Sequence, residues 1–342
     1  MTTPRVLQLM GAPGSPYTRK MLAVLRYRRI PYAFLTPAMA AARGLPQPKV
    51  PLLPTFYLPA ADGALEPATD SSPLIRRFDR AFEGRHVLPA DPALAFIDML
   101  LEDYADEWLT KAMFHYRWAF AADAQRSGRV LPMYRGLSRP DAELAEAGQA
   151  FAARQIGRLK FVGSNAVTGP VIEASYARLL GLLDAHFRGL PFLMGARPGS
   201  SDFALYGQLT QLAAFDPTPM ATTLEVAPRV YAWTALAEDL SGLEPGASDW
   251  IEAAALPATL RAILAEVGRT YVPVMLANAR AVAARAATVE TTVDGEPWSQ
   301  QPFPYQAKCV VWLREAYAGL EAGPRASVDA ALAGTGCEAL VA

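Results

Sequence analysis

The stretch GAPGSPYTRKML, residues 11–22, follows the short apolar run VLQLM and opens a segment with helical spacing. A nucleophile at such a strand-to-helix turn would be a cysteine, and none is there. Ser15 stands at the turn instead, followed by Pro16, Tyr17 and Thr18. A hydroxyl in that place caps the helix, with proline in the first helical position where its missing N–H costs nothing. Two more features share the first part of the chain. Leu53-Pro54 precedes the apolar run TFYL, and Asp70-Ser71 precedes a helical segment. Taken singly, the first is a strand boundary and the second a helix cap. The three histidines, His86, His115 and His186, lie far apart and lack metal-ligand spacing, so no metal is expected.

These residues need elements to hold them. Residues 5–10 read as a buried strand, and the helix after Ser15 carries Met21, Leu22, Val24 and Leu25 and runs to about residue 29. Residues 32–35 (YAFL) and 55–58 (TFYL) read as strands, while 36–51, rich in Pro, Ala and Gly, carries no predicted element. Asp62-Gly63 marks a tight turn before a short strand at 64–67, and a helix follows over 72–82. The first 85 residues therefore read βαβ, then ββα. HVLPADP, residues 86–92, is a linker with two prolines. Helices are predicted at 93–125, 140–160, 167–187, 201–215 and 228–239. An alanine-rich helix at 257–287, a hairpin over 288–298 and a helical section after Pro304 complete the chain.

With 342 residues, two domains or a domain plus an extension are expected. Apolar residues make up 52% and charged residues 19%, a globular composition. A net charge of -1 gives no reason to expect nucleic acid. The charge is uneven: residues 1–85 hold 12 Lys/Arg and 5 Asp/Glu, which leaves an acidic surplus in the rest. A basic small domain would attract a small anion, or its charges are simply solvated. Cys309 and Cys337 are the only cysteines, which argues for a reducing compartment and gives no sign of reactivity. The N-terminus lacks a signal-peptide core, and Arg280 and Arg285 break the best membrane-spanning run. A cytoplasmic protein with no membrane partner is expected.

Together, in this order, the three features resemble the thioredoxin-like domain of glutathione S-transferases. The helical continuation resembles that family's second domain, and GSSDFALYGQL resembles its capping box and buried aspartate, here Ser200 or Ser201 with Asp202. The likeness covers roughly residues 5–240. It implies an α+β chain: a thioredoxin-like glutathione-binding domain (1–85), a linker (86–92), an all-α domain (93–245) and a mostly helical C-terminal extension (246–342). Related redoxins carry Cys-Pro-Tyr-Cys where this chain has Ser15-Pro16-Tyr17-Thr18, so thiol–disulfide exchange by that motif is excluded.

A serine there resembles the serine-type transferases, whose hydroxyl donates to the glutathione sulfur, with Thr18 in reserve. The resemblance implies a cis peptide bond at Leu53-Pro54, with Val50-Pro51 competing, and backbone contacts from Leu53 to the cysteinyl part of glutathione. It gives Asp70 and Ser71 the γ-glutamyl end. On the helix from Trp108 to Phe120, Met113, His115 and Arg117, with Tyr17, are expected to line a pocket for a small hydrophobic electrophile. Glu102, Asp103, Asp106 and Glu107 read as a solvated acidic face with a Glu107–Lys111 pair. A homodimer is implied. Alternatives on the same site are a glutathione-dependent lyase, isomerase or dehalogenase, or a non-catalytic binding module.

Overall fold

The computed structural model describes residues 6–342; Arg5, the first residue of the expected first strand, lies outside them. The N-terminal elements are β1 (Leu7–Met10), α1 (Pro16–Tyr27), β2 (Tyr32–Leu35), α2 (Pro37–Ala42), β3 (Thr55–Pro59), β4 (Leu65–Ala68) and α3 (Ser71–Ala81). The strands form one mixed sheet in the order β2-β1-β3-β4, with β1 parallel to β2 and the other pairs antiparallel. This is the expected thioredoxin-like domain. Its one unforeseen element is α2, which starts where the Thr36 side chain accepts from Met39 N–H and Pro37 takes the first helical position.

A helical domain follows: α4 (Pro92–Tyr104), a π-helical segment (Ala105–Leu109), α5 (Thr110–Ala119), α6 (Ala121–Val130), α7 (Asp141–Ile156), α8 (Gly169–Phe187), α9 (Ser200–Leu212), α10 (Pro217–Val226) and α11 (Pro228–Leu236). The single helix expected over 93–125 is interrupted twice. The π-helical segment widens it at the acidic run, and the extended backbone of Phe120 breaks it before α6. The short α10 was not foreseen. The remaining elements are α12 (Ala258–Ala283), the hairpin β5 (Val289–Val293) and β6 (Glu296–Gln300), α13 (Pro304–Ala318) and α14 (Ala322–Leu332).

The last hundred residues do not stand apart. α12 packs on α8, and α13 and α14 pack on α4, whose other side meets α9. One hydrophobic cluster runs from Leu7 to Leu340. No described helix is long and apolar enough to cross a membrane.

The two domains meet along α1 and α9. Gly207 of α9 permits this, because a Cβ there would come within 2.6 Å of the Pro16 carbonyl oxygen. Much of the basic surplus of the first domain is spent at the same junction. Arg19 and Arg26 pair with Glu238, and Arg29 and Arg85 pair with Glu244. These charges therefore join domains and are not free to gather an anion.

The start of α9 keeps the aspartate half of the expected capping box, but its N-cap is Gly199 and not Ser200 or Ser201. Asp202 accepts from the Gly199 and Leu193 N–H groups (2.9 and 2.8 Å). The Ser200 and Ser201 hydroxyls instead each donate to Asp98 of α4 at 2.6 Å. Burial pushes the Asp202 carboxyl up to about 8 and that of Asp98 to about 6. In the unfolded chain both would ionise near ~3.9. The folded state thus keeps protons that the unfolded state has released, so stability present below about pH 4 is lost as pH rises toward 8. The melting temperature is expected to be higher at pH 5 than at pH 8.5, with a shallower fall in Asp202→Asn. A melting temperature that rises over this interval would contradict the assignment.

Candidate functional site

The turn before α1 is fixed from both domains. Gly11 lies so close to Thr18 that a Cβ would come within 2.5 Å of its methyl carbon. From the helical domain, Arg117 donates to the Gly14 carbonyl (3.1 Å) and Gln211 donates to the Pro13 carbonyl (3.2 Å). Arg117 is itself held by Asp216 and by the Gln211 side-chain oxygen (2.7 Å). Ser15 is the N-cap of α1. Its Oγ accepts from Thr18 N–H (3.3 Å) and donates to the carbonyl oxygen of Leu53 (3.3 Å). The cis peptide bond among the described residues is Leu53-Pro54, which settles the competition with Val50-Pro51. A hydroxyl at the positive end of α1 and a backbone carbonyl beside a bend therefore face each other.

Asp70 and Ser71 begin α3, close to a residue that the sequence did not single out. Lys20, on the buried face of α1, is 1% exposed. Its Nζ donates to Ser71 Oγ and Ser72 Oγ (3.3 Å each) and forms ion pairs with Glu102 (2.8 Å) and Asp106 (2.6 Å). Asp70 is the N-cap of α3 by position, at φ 79°, but its side chain makes no capping bond. Its carboxylate accepts from the Tyr305 hydroxyl of α13 at 2.9 Å. Burial raises the Asp70 carboxyl from its ordinary value.

The acidic run is not a solvated face. Glu102, Asp106 and Glu107 are buried: the first two pair with Lys20 of α1, and Gln306 of α13 reaches the Glu107 carbonyl. Lys111 is buried too and donates to Gln300 (2.9 Å), not to Glu107. Burial would raise the Glu102 carboxyl, yet Lys20 and Arg76 hold it down at about 2. Burial, then neighbouring carboxylates, pushes Asp106 to about 6, Asp103 to about 7 and Glu107 to about 8. Beside them lies a cavity of about 440 Å³, lined by Ser72 and Arg76 of α3, the acidic run, and Tyr305, Cys309 and Trp312 of α13.

The residues expected to line an electrophile pocket are engaged in packing. The Tyr17 hydroxyl donates to the Asp106 carbonyl and pairs with Thr110 Oγ1, both at 2.8 Å. Burial, then the Glu107 and Asp106 charges, keeps that phenol well above its usual range. Met113 belongs to the main core. His115 pairs with Ser164 (2.7 Å) and Glu173 (3.1 Å), and burial lowers its imidazole from the ordinary value. Arg117 serves the turn, as described. The structure thus gathers Ser15, Leu53 and Pro54 in one place and Asp70 and Ser71 at the neighbouring helix start. It leaves Met113 and His115 in the helical packing. Of the residues that sequence reasoning missed, Lys20 carried a signal: it lies four residues before buried Val24, on the helix's apolar stripe.

Two family models match the chain. Residues 9–86 match "Glutathione S-transferase, N-terminal domain", and residues 142–236 match "Glutathione S-transferase, C-terminal domain". No curated protein matches. Among solved structures, a glutathione S-transferase from Rhodospirillum rubrum F11 is 16% identical, with a TM-score of 0.41 over 75% of this chain and 98% of that one. A Tau class glutathione S-transferase from mango, Mangifera indica L., is 16% identical, with a TM-score of 0.40 over 69% and 89%. A glutathione transferase family member from Pseudomonas fluorescens Pf-5, with bound S-(propanoic acid)-glutathione, is 17% identical, with a TM-score of 0.37 over 70% and 98%.

Proposed function

Because the chain belongs to the glutathione S-transferase family, we propose that it is a serine-type glutathione transferase that activates the glutathione thiol for attack on a small hydrophobic electrophile. The observation that carries this reading is the Ser15–Leu53 pair. A free thiol has a pKa near ~8.5, so little of it is thiolate at neutral pH. The cysteinyl N–H of glutathione would take over the Leu53 carbonyl, like an added strand. That exchange frees the Ser15 hydroxyl to donate to the sulfur, where the positive end of α1 also favours the anion. Ser15 stabilises the nucleophile and attacks nothing itself. A lyase, isomerase or dehalogenase would use the same thiolate.

At the γ-glutamyl end, the Ser71 hydroxyl, the start of α3 and the Lys20 ammonium suit the α-carboxylate. Asp70 suits the α-ammonium once Tyr305 releases it. That requirement favours a second reading. Lys20 and Tyr305 already satisfy Ser71 and Asp70, as they would in a module that keeps the fold without the ligand. Tyr305→Phe separates the two. Freeing Asp70 is expected to tighten glutathione binding roughly 3–10-fold, the worth of about one hydrogen bond. Saturating glutathione is expected to raise the melting temperature of both proteins, since it stabilises only the native state. A melting temperature unmoved in both would favour the module.

A further inference from the structure

Asp103 of α4, Glu107 of the π-helical segment and Cys309 of α13 each place one ligand atom within 4.8 Å of the others. Cys309 and Glu107 are buried, and both belong to the lining of the 440 Å³ cavity. Arg80, Trp312 and Glu315, which also line it, are exposed, so the cavity reaches solvent. The two buried lysines nearby are engaged elsewhere, Lys20 with Glu102 and Asp106 and Lys111 with Gln300.

Two buried polar atoms here are left without partners. Gln306, one turn before Cys309, is 2% exposed. Its Nε2 donates to the backbone carbonyl of Glu107 (3.5 Å), while its Oε1 bonds to nothing. Asp106 Oδ1, on the cavity wall, is likewise unpaired. A buried polar atom without a partner costs free energy that a ligand would recover.

We propose that Asp103, Glu107 and Cys309, with the Gln306 side-chain oxygen as fourth donor, form a binding site for a zinc-like divalent transition-metal ion. One thiolate with three oxygen donors selects such an ion over magnesium or calcium, which take oxygen alone. Ligand atoms around a tetrahedral zinc lie roughly 3.5 Å apart, so side-chain rotation within the observed 4.8 Å suffices. Tyr271 donates to Asp103 Oδ2 at 2.8 Å, an outer contact that fixes the carboxylate and leaves its other oxygen for the ion. The thiol proton, and the protons that the Asp103 and Glu107 carboxyls hold, pass to the buffer on binding. The site joins α4 to α13 and so ties the C-terminal extension to the helical domain.

The test is to titrate the chelator-treated protein with CdCl2 and to follow the ultraviolet thiolate-to-cadmium charge-transfer band, then to compete with ZnCl2. One equivalent is expected to saturate the band. It should vanish in Cys309→Ser and persist in Cys337→Ser, whose cysteine is buried elsewhere. Glu107→Gln, which keeps the shape of the side chain, should weaken binding at least tenfold. Should Cys309→Ser not fold, Glu107→Gln decides. The absence of a band in the parent protein, a band that survives Cys309→Ser, or unchanged affinity in Glu107→Gln would overturn the proposal.

Discussion

Replacing Lys20 with methionine is expected to destabilise the protein by about 3–5 kcal/mol, the range for removing one partner of a buried ion pair. The ammonium is the hub between α1, the start of α3 and the acidic run of the helical domain. Without it, Glu102 keeps the Ser200 hydroxyl and a single ion-pair partner among the described residues, Arg76, which lies 3.2 Å away and is partly exposed. Asp106 loses its only ion-pair partner among the described residues, and Ser71 and Ser72 lose a donor. Methionine fills the space of the side chain but pairs with none of them. The penalty should be smaller at pH 5 than at pH 8, because Asp106, already at about 6, takes up a proton and relieves the unpaired charge. Urea denaturation of both proteins at the two pH values measures this. A loss under about 1 kcal/mol at pH 8 would mean that the carboxylates find other partners, and that Lys20 does not hold the domains together.

Ser15→Ala is expected to have the largest effect on turnover. Removing a single donor aimed at a developing anion costs roughly 10²–10³ in rate. The affinity for glutathione should change little, since the Leu53 carbonyl and the start of α3 are untouched. The cap itself is worth about 1 kcal/mol, so the variant should fold. The pH profile distinguishes activation from structure. If the hydroxyl stabilises the thiolate, the acid limb of kcat/KM with a generic aryl halide should move toward ~8.5, the value of a free thiol. A lower rate with an unmoved limb would make Ser15 a structural cap. An unchanged rate would remove it from the reaction.

The thioredoxin-like half was legible because its signals are local. A Ser-Pro start, a Pro before an apolar run and an Asp-Gly turn each fix one element boundary, and their order fixes the sheet. Resemblance then pointed to Ser15, Leu53-Pro54, Asp70 and Ser71 as one site, and the chain folds so that Ser15 meets Leu53. The helical half was less legible because its polar residues depend on what covers them. The 102–107 run would be a solvated face on a helix packed on one side. It is buried from two sides: Lys20 of α1 and Ser72 of α3 cover Glu102 and Asp106, and α13, two hundred residues later, reaches Glu107, contacts that leave no mark in the run itself. Tyr305 reaching Asp70 is the same kind of fact. His115 and Arg117 look like pocket residues by type, but their partners, Glu173 and Asp216, come from elements whose placement no spacing rule gives. Lys20 is the exception, since a charge on the apolar stripe of α1 called for a buried partner.

The most direct test of the central claim is isothermal titration calorimetry with reduced glutathione on the wild-type protein and on Ser71→Ala. The account predicts binding in the micromolar-to-millimolar range, weakened by the substitution because the γ-glutamyl carboxylate loses a donor at the start of α3. Absence of binding heat in either protein, over a range of temperatures, would contradict it and leave the fold without its expected ligand.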